Sequence, residues 1–149
     1  MAHQRIAITG ASGLIGTALV GHLRSEGHTV QKLVRRTTIS SDEISWDPIA
    51  GTVDIKALQG VDAVIHLAGA GVGDKRWTSR YRAEILNSRL LGTTAIAQAG
   101  ATVKPSVFIS ASAMGFYGET GNRAVTEIDR PGDDFLATVC KEWEAAADL

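Results

Sequence analysis

Three glycines spaced three residues apart form the first stretch of this sequence that could do chemistry. Gly10, Gly13 and Gly16 follow the apolar segment 5–9, which predicts a strand, and they open a segment with helical periodicity. At such a junction the first glycine permits a tight turn, the second lets backbone N–H groups approach an anion, and the third brings helix and strand together. The helix N-terminus then faces the anion. The pattern predicts a dinucleotide pyrophosphate site rather than an ordinary glycine-rich turn.

Two arginines after the second predicted strand bear on which dinucleotide would bind. An NAD site usually has an acidic residue there, about 20 residues beyond the glycines, to bind the ribose 2′-hydroxyl. This sequence has Arg35 and Arg36 instead, with Lys32 upstream. A guanidinium group matches the oxygens of a 2′-phosphate. The sequence therefore favours NADP over NAD, the alternative being that both side chains are merely solvated on a surface loop.

The elements that must position these residues alternate between strand and helix. Strands are predicted at 5–9, 28–34, 43–47, 62–69 and from 105, and helices at 13–26, 53–60, 78–99 and from Asp133 or Asp134 as the N-cap. Such alternation implies a parallel sheet with right-handed crossovers. We expect an α/β fold, a Rossmann-type doubly wound parallel sheet truncated after about five strands. Because the last helix runs to the end of the sequence, residues 1–149 are expected to be the N-terminal part of a longer protein.

Composition limits the class of protein. With 149 residues the chain suits one domain, and 44% hydrophobic and 21% charged residues are typical of a globular protein. A net charge of -1 gives no electrostatic argument for nucleic acid or a membrane as partner. The single cysteine, Cys140, cannot form an internal disulfide, so we expect a cytoplasmic protein.

Four motifs together resemble the extended and atypical short-chain dehydrogenase/reductases. They are TGASGLIG (9–16), DAVIHLAG (62–69), RLLGTTAI (89–96) and ISASAMGFYG (109–118). Within that superfamily the sequence is similar to the NAD-dependent epimerase/dehydratase-like subgroup, whose members are also described as nucleoside-diphosphate-sugar epimerase-like. The arginine pair, the Arg-Trp before the long helix and the segment FLATVCKEWE (135–144) are typical of it. Members are about twice as long, so the resemblance implies that a substrate-binding part is missing.

The resemblance implies a set of cofactor-binding residues. The residues at the pyrophosphate would be Gly10, Ser12, Gly13, Leu14 and Ile15. Arg35 and Arg36 would bind the 2′-phosphate, and Asp47 would contact the adenine. The residues beneath the ribose and nicotinamide would be Leu67, Ala68, Gly69 and Ala70. Arg89 stands where extended relatives usually have asparagine, which could place a positive group near the substrate. Arg76 and Trp77 open the long helix, and they could either bind an anionic or planar substrate or anchor the loop.

The resemblance also implies a catalytic serine, tyrosine and lysine, of which only the serine is present. Ser112 is the candidate to hold the substrate oxygen, with Ser110 beside it, although either serine could instead cap local backbone. The tyrosine and lysine positions fall on Leu136 and Cys140, and neither side chain can replace them. Lys141 is one residue off, which rotates it about 100° around the helix.

Three other residues are candidates for the missing chemistry. Tyr117 could donate a proton, or be a substrate-side or structural residue. Cys140 could be a nucleophile, although a small buried core residue is the favoured interpretation because no activating histidine is evident. His66 lies within an apolar strand and is expected to be a satisfied core residue or one that contacts the backbone.

The expected function is that of an NADP-binding reductase or epimerase-like protein that transfers a hydride at a carbonyl or alcohol carbon of an unknown small molecule. The alternative is a non-catalytic NADP-binding regulator or scaffold, which the missing tyrosine and lysine favour. No metal ion is expected. The sequence leaves the oligomeric state open, a homo-oligomer included.

Overall fold

A six-stranded sheet forms the centre of the computed structural model, which describes residues 2–148. The strands are β1 (Arg5–Thr9), β2 (Thr29–Val34), β3 (Glu43–Asp47), β4 (Thr52–Val53), β5 (Ala63–His66) and β6 (Val107–Ser110). Their order is β4-β3-β2-β1-β5-β6, and every neighbouring pair is parallel except β3 and β4. The chain thus adds strands on one side of β1 and then crosses to the other side. This confirms the Rossmann-type α/β fold. The strand order reverses at β1 and β5, and the carboxyl ends of these strands are where open α/β sheets of this kind have the crevice that binds ligands.

Within residues 2–148 the chain forms four α-helices, as predicted. They are α1 (Leu14–Ser25), α2 (Ile55–Leu58), α3 (Ser79–Val103) and α4 (Phe135–Ala145), and a 3-10 turn follows β6 at Met114–Tyr117. Asp134 caps α4 by accepting a hydrogen bond from the backbone N–H of Ala137, at one of the two predicted N-cap positions. Thr78 caps α3 in the same way, so this helix begins one residue later than predicted.

Helix α3 is longer than its sequence predicts. The helix is predicted to end at Ala99, but it continues to Val103, and Lys104 follows it in a left-handed conformation. A Cβ atom at Gly100 would lie 3.2 Å from the Phe108 ring. The glycine therefore serves the close approach of α3 to β6 rather than terminating the helix.

The sheet also has one strand more than predicted. Thr52–Val53 forms a short antiparallel pair with Trp46 and Asp47, joined by a turn in which Gly51 has φ of 68°. Two residues are too few to show the alternation by which a strand is recognised in a sequence, and Val53 falls within the helix predicted at 53–60.

Apolar side chains fill both faces of the sheet. The larger cluster lies between the sheet and helices α2 and α3, and it contains Leu33, Ile44, Trp46, Leu58, Val64 and Ile96. The second lies under α1, with Ile6, Ile8, Val20 and Val30. A third joins α3 to α4 through Tyr81, Ile85 and Val139. No helix within residues 2–148 is long and apolar enough to cross a membrane.

Candidate functional site

The turn between β1 and α1 has room only for glycine at two positions. Gly10 has φ of 66°, and a Cβ atom there would lie 2.8 Å from the carbonyl carbon of Leu67. A Cβ atom at Gly16 would lie 2.2 Å from the carbonyl oxygen of Gly10. The turn is thus held between the end of β5 and the first turn of α1. This is the close packing that the glycine spacing predicts.

The N-terminus of α1 is suited to an anion. Its N-cap, Gly13, has no side chain to satisfy the first N–H groups, and its first turn contains no acidic residue. These N–H groups and the helix dipole therefore face the crevice. Leu14 and Ile15 are 93% and 68% exposed, which leaves two large apolar side chains uncovered there, and Ser12 is exposed on the turn. The cradle fits a ligand with a pyrophosphate group and an apolar portion.

The Thr9 hydroxyl ties β1 to the segment that follows β5. The hydroxyl accepts hydrogen bonds from the N–H groups of Leu67 and Ala68, at 3.1 and 3.2 Å. It also lies 2.7 Å from Nδ1 of His66. Thr9 is completely buried, so water cannot replace any of these contacts. The floor of the crevice is therefore fixed by one side chain.

The same contacts fix the proton on the His66 ring. The two N–H groups occupy the lone pairs of the Thr9 oxygen, so its own proton points to Nδ1 and the ring proton lies on Nε2. Burial lowers the pKa of His66 to about 4, which keeps the ring neutral. Within the described residues Nε2 has no hydrogen-bond partner. His66 is thus a core residue as expected, but only one of its nitrogens is satisfied.

Helix α3 holds the next part of the same loop. Ala70 donates its N–H to the hydroxyl of Ser88 at 3.0 Å, and its carbonyl accepts from Nη1 of Arg89 at 2.9 Å. The segment from Leu67 to Ala70, expected beneath the ribose and nicotinamide, is therefore fixed at both ends. The backbone N–H and carbonyl groups of Gly69 lie between the attachment to Thr9 and the attachment to α3.

Arg89 extends below this loop toward α4. Its guanidinium carbon lies 5.0 Å from the centre of the Trp143 ring, and Nη1 also donates to the carbonyl of Ile85 at 3.2 Å. Burial lowers the pKa of Arg89, while the nearby Cys140 and Tyr81 side chains oppose that shift. The group remains a cation, and no carboxylate within residues 2–148 forms an ion pair with it.

The two arginines after β2 have different surroundings. Arg36 binds both carboxylate oxygens of Glu43, at 2.5 and 2.9 Å, and the Glu43 side chain is nearly buried. This pairing lowers the pKa of Glu43 and raises that of Arg36. Arg35 forms no ion pair in the part of the chain that the structure describes, and it is exposed. Of the predicted pair, only Arg35 has its whole guanidinium edge open to a ligand.

Asp47 ends β3 at the same edge of the sheet. One of its carboxylate oxygens accepts the N–H groups of Ile49 and Ala50, at 2.9 and 3.0 Å, and so closes the turn before β4. The other oxygen remains available to a ligand. Asp47 therefore has a structural contact in addition to the adenine contact that the resemblance implies.

Ser112 lies beyond β6 and is bound to α4. Its hydroxyl donates a hydrogen bond to the carboxylate of Glu144. Thr9, His66 and Ser110 occupy one row across β1, β5 and β6, which places Ser112 on the same edge as the glycine turn. The serine is thus near the crevice with its proton directed to a carboxylate.

The positions of the missing tyrosine and lysine face the loop that carries this serine. A Cβ atom at Gly115 would lie 3.3 Å from Cβ of Leu136 and 3.8 Å from Sγ of Cys140. Cys140 also donates weakly to the carbonyl of Ala113 at 3.7 Å. Leucine and cysteine therefore occupy the place where the resemblance requires a phenol and an ammonium group.

Cys140 has the surroundings of a core residue. It is 3% exposed, and burial, followed by the nearby Glu144 carboxylate, raises the pKa of its thiol. A protonated, enclosed thiol is a poor nucleophile. The structure thus favours the core interpretation over the nucleophilic one.

Trp77 anchors the loop before α3. Its indole N–H donates to the carbonyl of Val72 at 2.8 Å, and its ring packs edge-on against Phe135 with centroids 5.5 Å apart. Arg76 is exposed beside it, next to Lys75 and Arg80. The tryptophan contacts are those of the anchoring alternative, whereas Arg76 remains accessible to an anion.

Tyr117 lies at the end of the 3-10 turn. Its ring packs edge-on against Phe116, with centroids 5.2 Å apart, and is partly exposed. The following loop returns to this point, because the N–H of Gly132 donates to the carbonyl of Phe116 at 2.9 Å. The turn that carries Tyr117 is therefore closed by this loop, and it follows the segment that carries Ser112.

Sequence reasoning missed three residues of the site, namely Thr9, Glu43 and Glu144. Thr9 ends a strand, Glu43 begins a strand and Glu144 lies on a helix. A polar side chain at such a position is ordinarily expected to be solvated. Glu144 had one signal: it lies four residues after Cys140, hence on the same helix face as the position assigned to lysine. Thr9 and Glu43 had none, since their partners come from neighbouring strands and loops.

Comparison with known proteins agrees with this geometry. Residues 6–136 match the NAD dependent epimerase/dehydratase family. An epimerase family protein of Mycobacterium leprae is 42% identical over 141 residues, which are 95% of this chain and 46% of that protein. The chain spans about half the length of the curated relatives it matches.

Two solved structures share the fold. The nucleoside-diphosphate sugar epimerase from Corynebacterium glutamicum superposes with a TM-score of 0.84 at 38% identity, over 99% of this chain and 31% of that chain. Human epimerase family protein SDR39U1 (isoform 2), solved with NADPH, gives a TM-score of 0.84 at 30% identity, over 96% of this chain and 48% of that chain. With its glycine turn, sheet order and sequence matches, the chain belongs to the NAD dependent epimerase/dehydratase family.

Proposed function

We propose that this chain binds NADP(H) and forms the cofactor-binding part of a protein that transfers a hydride at a carbonyl or alcohol carbon of a small molecule. The observation that carries the proposal is the glycine turn at the reversal of strand order, with the uncapped N-terminus of α1 above it. That arrangement binds a pyrophosphate through backbone N–H groups.

NADP is proposed over NAD because of the residues that follow β2. Arg35 follows β2 with an exposed side chain that forms no ion pair within residues 2–148, and the Glu43 carboxylate is already bound to Arg36. Asp42, the other carboxylate of this segment, is paired with Arg24 and Lys32, so among the described residues both carboxylates already have cationic partners. NADPH in the human relative at 30% identity supports the same choice.

Ser112 and Glu144 are the residues that would handle the proton. When bound, NADP(H) supplies the hydride donor or acceptor. In the oxidation direction the Ser112 oxygen would accept the proton of the substrate hydroxyl while its own proton passes to the Glu144 carboxylate, and in the reduction direction both proton transfers would run in reverse, toward the carbonyl oxygen. Tyr117 is a second candidate donor beside the same loop, and Arg76 a candidate contact for an anionic substrate.

The proposal is tested by measuring first the binding of NADPH and NADH and then the oxidation of NADPH. Calorimetric titration with NADPH and NADH should give the tighter binding for NADPH. Oxidation of NADPH is then followed at 340 nm with a panel of aldehydes, ketones and nucleotide-linked sugars, using Ser112→Ala as the matched control. Turnover that is lost in this variant, with NADPH affinity unchanged, supports the proposal; a chain that binds neither nucleotide refutes it.

A second candidate function is a non-catalytic NADP-dependent regulator or scaffold. The specific observation in its favour is that Leu136 and Cys140 occupy the tyrosine and lysine positions. NADPH binding without turnover of any compound in the panel, together with an NADPH-dependent change in association between copies of the chain, would favour this function. Analytical ultracentrifugation with and without NADPH measures that association.

A further inference from the structure

A nearly buried carboxylate lies beside the arginines that follow β2. Glu43 is the first residue of β3, and its side chain is 3% exposed. Strand pairing places it opposite Lys32, two residues before the end of β2. Its two oxygens accept from Nη1 and Nη2 of Arg36, and Oε2 also accepts the N–H of Ile39 at 2.9 Å. The loop between β2 and β3 is therefore attached to this one carboxylate at two residues.

The guanidinium group of Arg36 is accessible from solvent although it is paired. The Arg36 side chain is 53% exposed, whereas the carboxylate that it binds is nearly buried. Both Nη atoms donate to Glu43, and Nη1 also donates to the carbonyl of Thr37 at 2.9 Å. This fork of two parallel N–H···O bonds is the geometry in which an arginine binds a phosphate. The donors that Arg36 would present to a 2′-phosphate are thus occupied by Glu43.

The two carboxylates of this segment differ in their partners. Asp42 pairs with Arg24 and Lys32, at 2.5 and 3.2 Å, and forms no ion pair with Arg36 in the described part of the chain. Glu43 pairs with Arg36, and the hydrogen bond from this arginine lowers the pKa of Glu43, so the carboxylate is ionised at neutral pH. Of the two, Glu43 is therefore the anion that occupies one of the predicted phosphate-binding arginines.

We propose that Glu43 determines how strongly the chain prefers NADP(H), because its carboxylate competes with the 2′-phosphate for Arg36. This rests on the proposed function, in which Arg35 meets that phosphate. To bind the phosphate through both Nη atoms, Arg36 must release Glu43, which then lies nearly buried without its cationic partner. The cost of this release reduces the affinity for NADP(H) below that of a chain with two unpaired arginines. Glu43 thus acts through Arg36 and needs no contact with the cofactor.

The test uses NADPH and NADH, which differ only in the 2′-phosphate. Both are titrated calorimetrically into the wild-type chain, Glu43→Gln, Arg36→Ala and the double variant. Glutamine retains an oxygen for the N–H of Ile39 but has no charge to hold Arg36. We expect Glu43→Gln to bind NADPH about two- to fivefold more tightly, the range for one exposed ion pair, with NADH unchanged. On the Arg36→Ala background the same substitution should give a smaller gain, because no guanidinium is released.

A matched control separates the release of Arg36 from a general change of charge. Asp42→Asn removes the same charge from the neighbouring residue, whose partners are Arg24 and Lys32, and should raise the affinity for NADPH less than Glu43→Gln does. Unchanged binding of NADH shows that a variant is folded. If Glu43→Gln does not meet this criterion, Glu43→Asp, which withdraws the carboxylate by one methylene, replaces it and should change the affinity in the same direction.

The outcomes distinguish this inference from the proposed function. A gain that requires Arg36 and exceeds that of Asp42→Asn supports the competition. No gain, a loss, an equal gain from Asp42→Asn, or an equal gain without Arg36 overturns the role of Glu43 while the proposed function stands. A wild-type chain that binds neither nucleotide overturns both.

Discussion

Nδ1 of His66 lies 2.7 Å from the hydroxyl oxygen of Thr9, which is 57 residues away in the sequence. This hydroxyl also accepts the N–H groups of Leu67 and Ala68, so one threonine joins two parallel strands at the edge where a cofactor would lie. The arrangement works only while the His66 ring is neutral. A protonated ring would point an N–H at a hydroxyl oxygen whose lone pairs are already occupied.

The His66 ring should make stability depend on pH. Its pKa is lowered from 6.5 to about 4, so between these values the unfolded chain binds a proton that the folded chain does not. The contribution is fully present above about pH 6.5 and is lost as the pH falls toward 4, by at most about 1.4 kcal/mol per pH unit. Urea unfolding at half-unit steps measures this slope.

His66→Asn is the control for that slope, because an amide oxygen can still accept from the Thr9 hydroxyl but does not titrate. The variant is expected to be less stable at pH 7 and to depend less on pH between 6.5 and 4. Equal slopes for the two proteins would mean that His66 is not the titrating group.

Removal of the Thr9 hydroxyl should loosen the floor of the crevice. Thr9→Val keeps the shape of the side chain but leaves the N–H groups of Leu67 and Ala68 without an acceptor. Each unsatisfied buried group costs about 1–3 kcal/mol, so a loss of about 2 kcal/mol or more is expected in urea unfolding. Thr9→Ser retains the hydroxyl and should be affected far less; comparable losses in both variants would assign the effect to packing.

Substitution of the two arginines after β2 should have different effects, on nucleotide preference in one case and on stability in the other. Arg35→Ala is expected to reduce the preference for NADPH over NADH about 10- to 100-fold, because a charge-assisted contact contributes about 1.5–3 kcal/mol. Arg36→Ala should mainly lower stability, since it leaves the nearly buried Glu43 carboxylate without its partner. Calorimetric titration and thermal unfolding of both variants check this. Loss of the preference in Arg36→Ala alone would reverse the assignment.

Two glycines of the same helix should respond oppositely to alanine. Gly16→Ala places a Cβ atom 2.2 Å from the carbonyl oxygen of Gly10, and backbone must move to relieve the clash. A loss of about 3 kcal/mol or more is expected, with loss of nucleotide binding. A Cβ atom at Gly21 meets nothing within 4 Å, so Gly21→Ala should stabilise the helix by about 0.5–1 kcal/mol. Denaturant unfolding measures both; a tolerated Gly16→Ala would contradict the packing role of this glycine.

Much of the fold follows from local patterns in the sequence. The alternation of strands and helices, the glycine turn and the cap at Asp134 each depend on neighbouring residues, and the structure confirms them. Short-range patterns failed where a residue serves a distant contact. Helix α3 runs through Gly100, at which the Phe108 ring of β6 packs closely against the helix. The two-residue strand β4 is a strand only because it pairs with β3.

By itself, the sequence determined the parallel sheet and the glycine turn at which we propose that a dinucleotide binds, because both depend on periodicity and on glycines at the junction of a strand and a helix. Only the tertiary structure decided what surrounds that place. It paired Ser112 with Glu144 across 32 residues, bound Arg36 to Glu43, and placed Arg89 beneath Gly69. The physical reason is that such polar contacts are set by strand register and helix packing. The residue types alone would be equally consistent with solvated side chains.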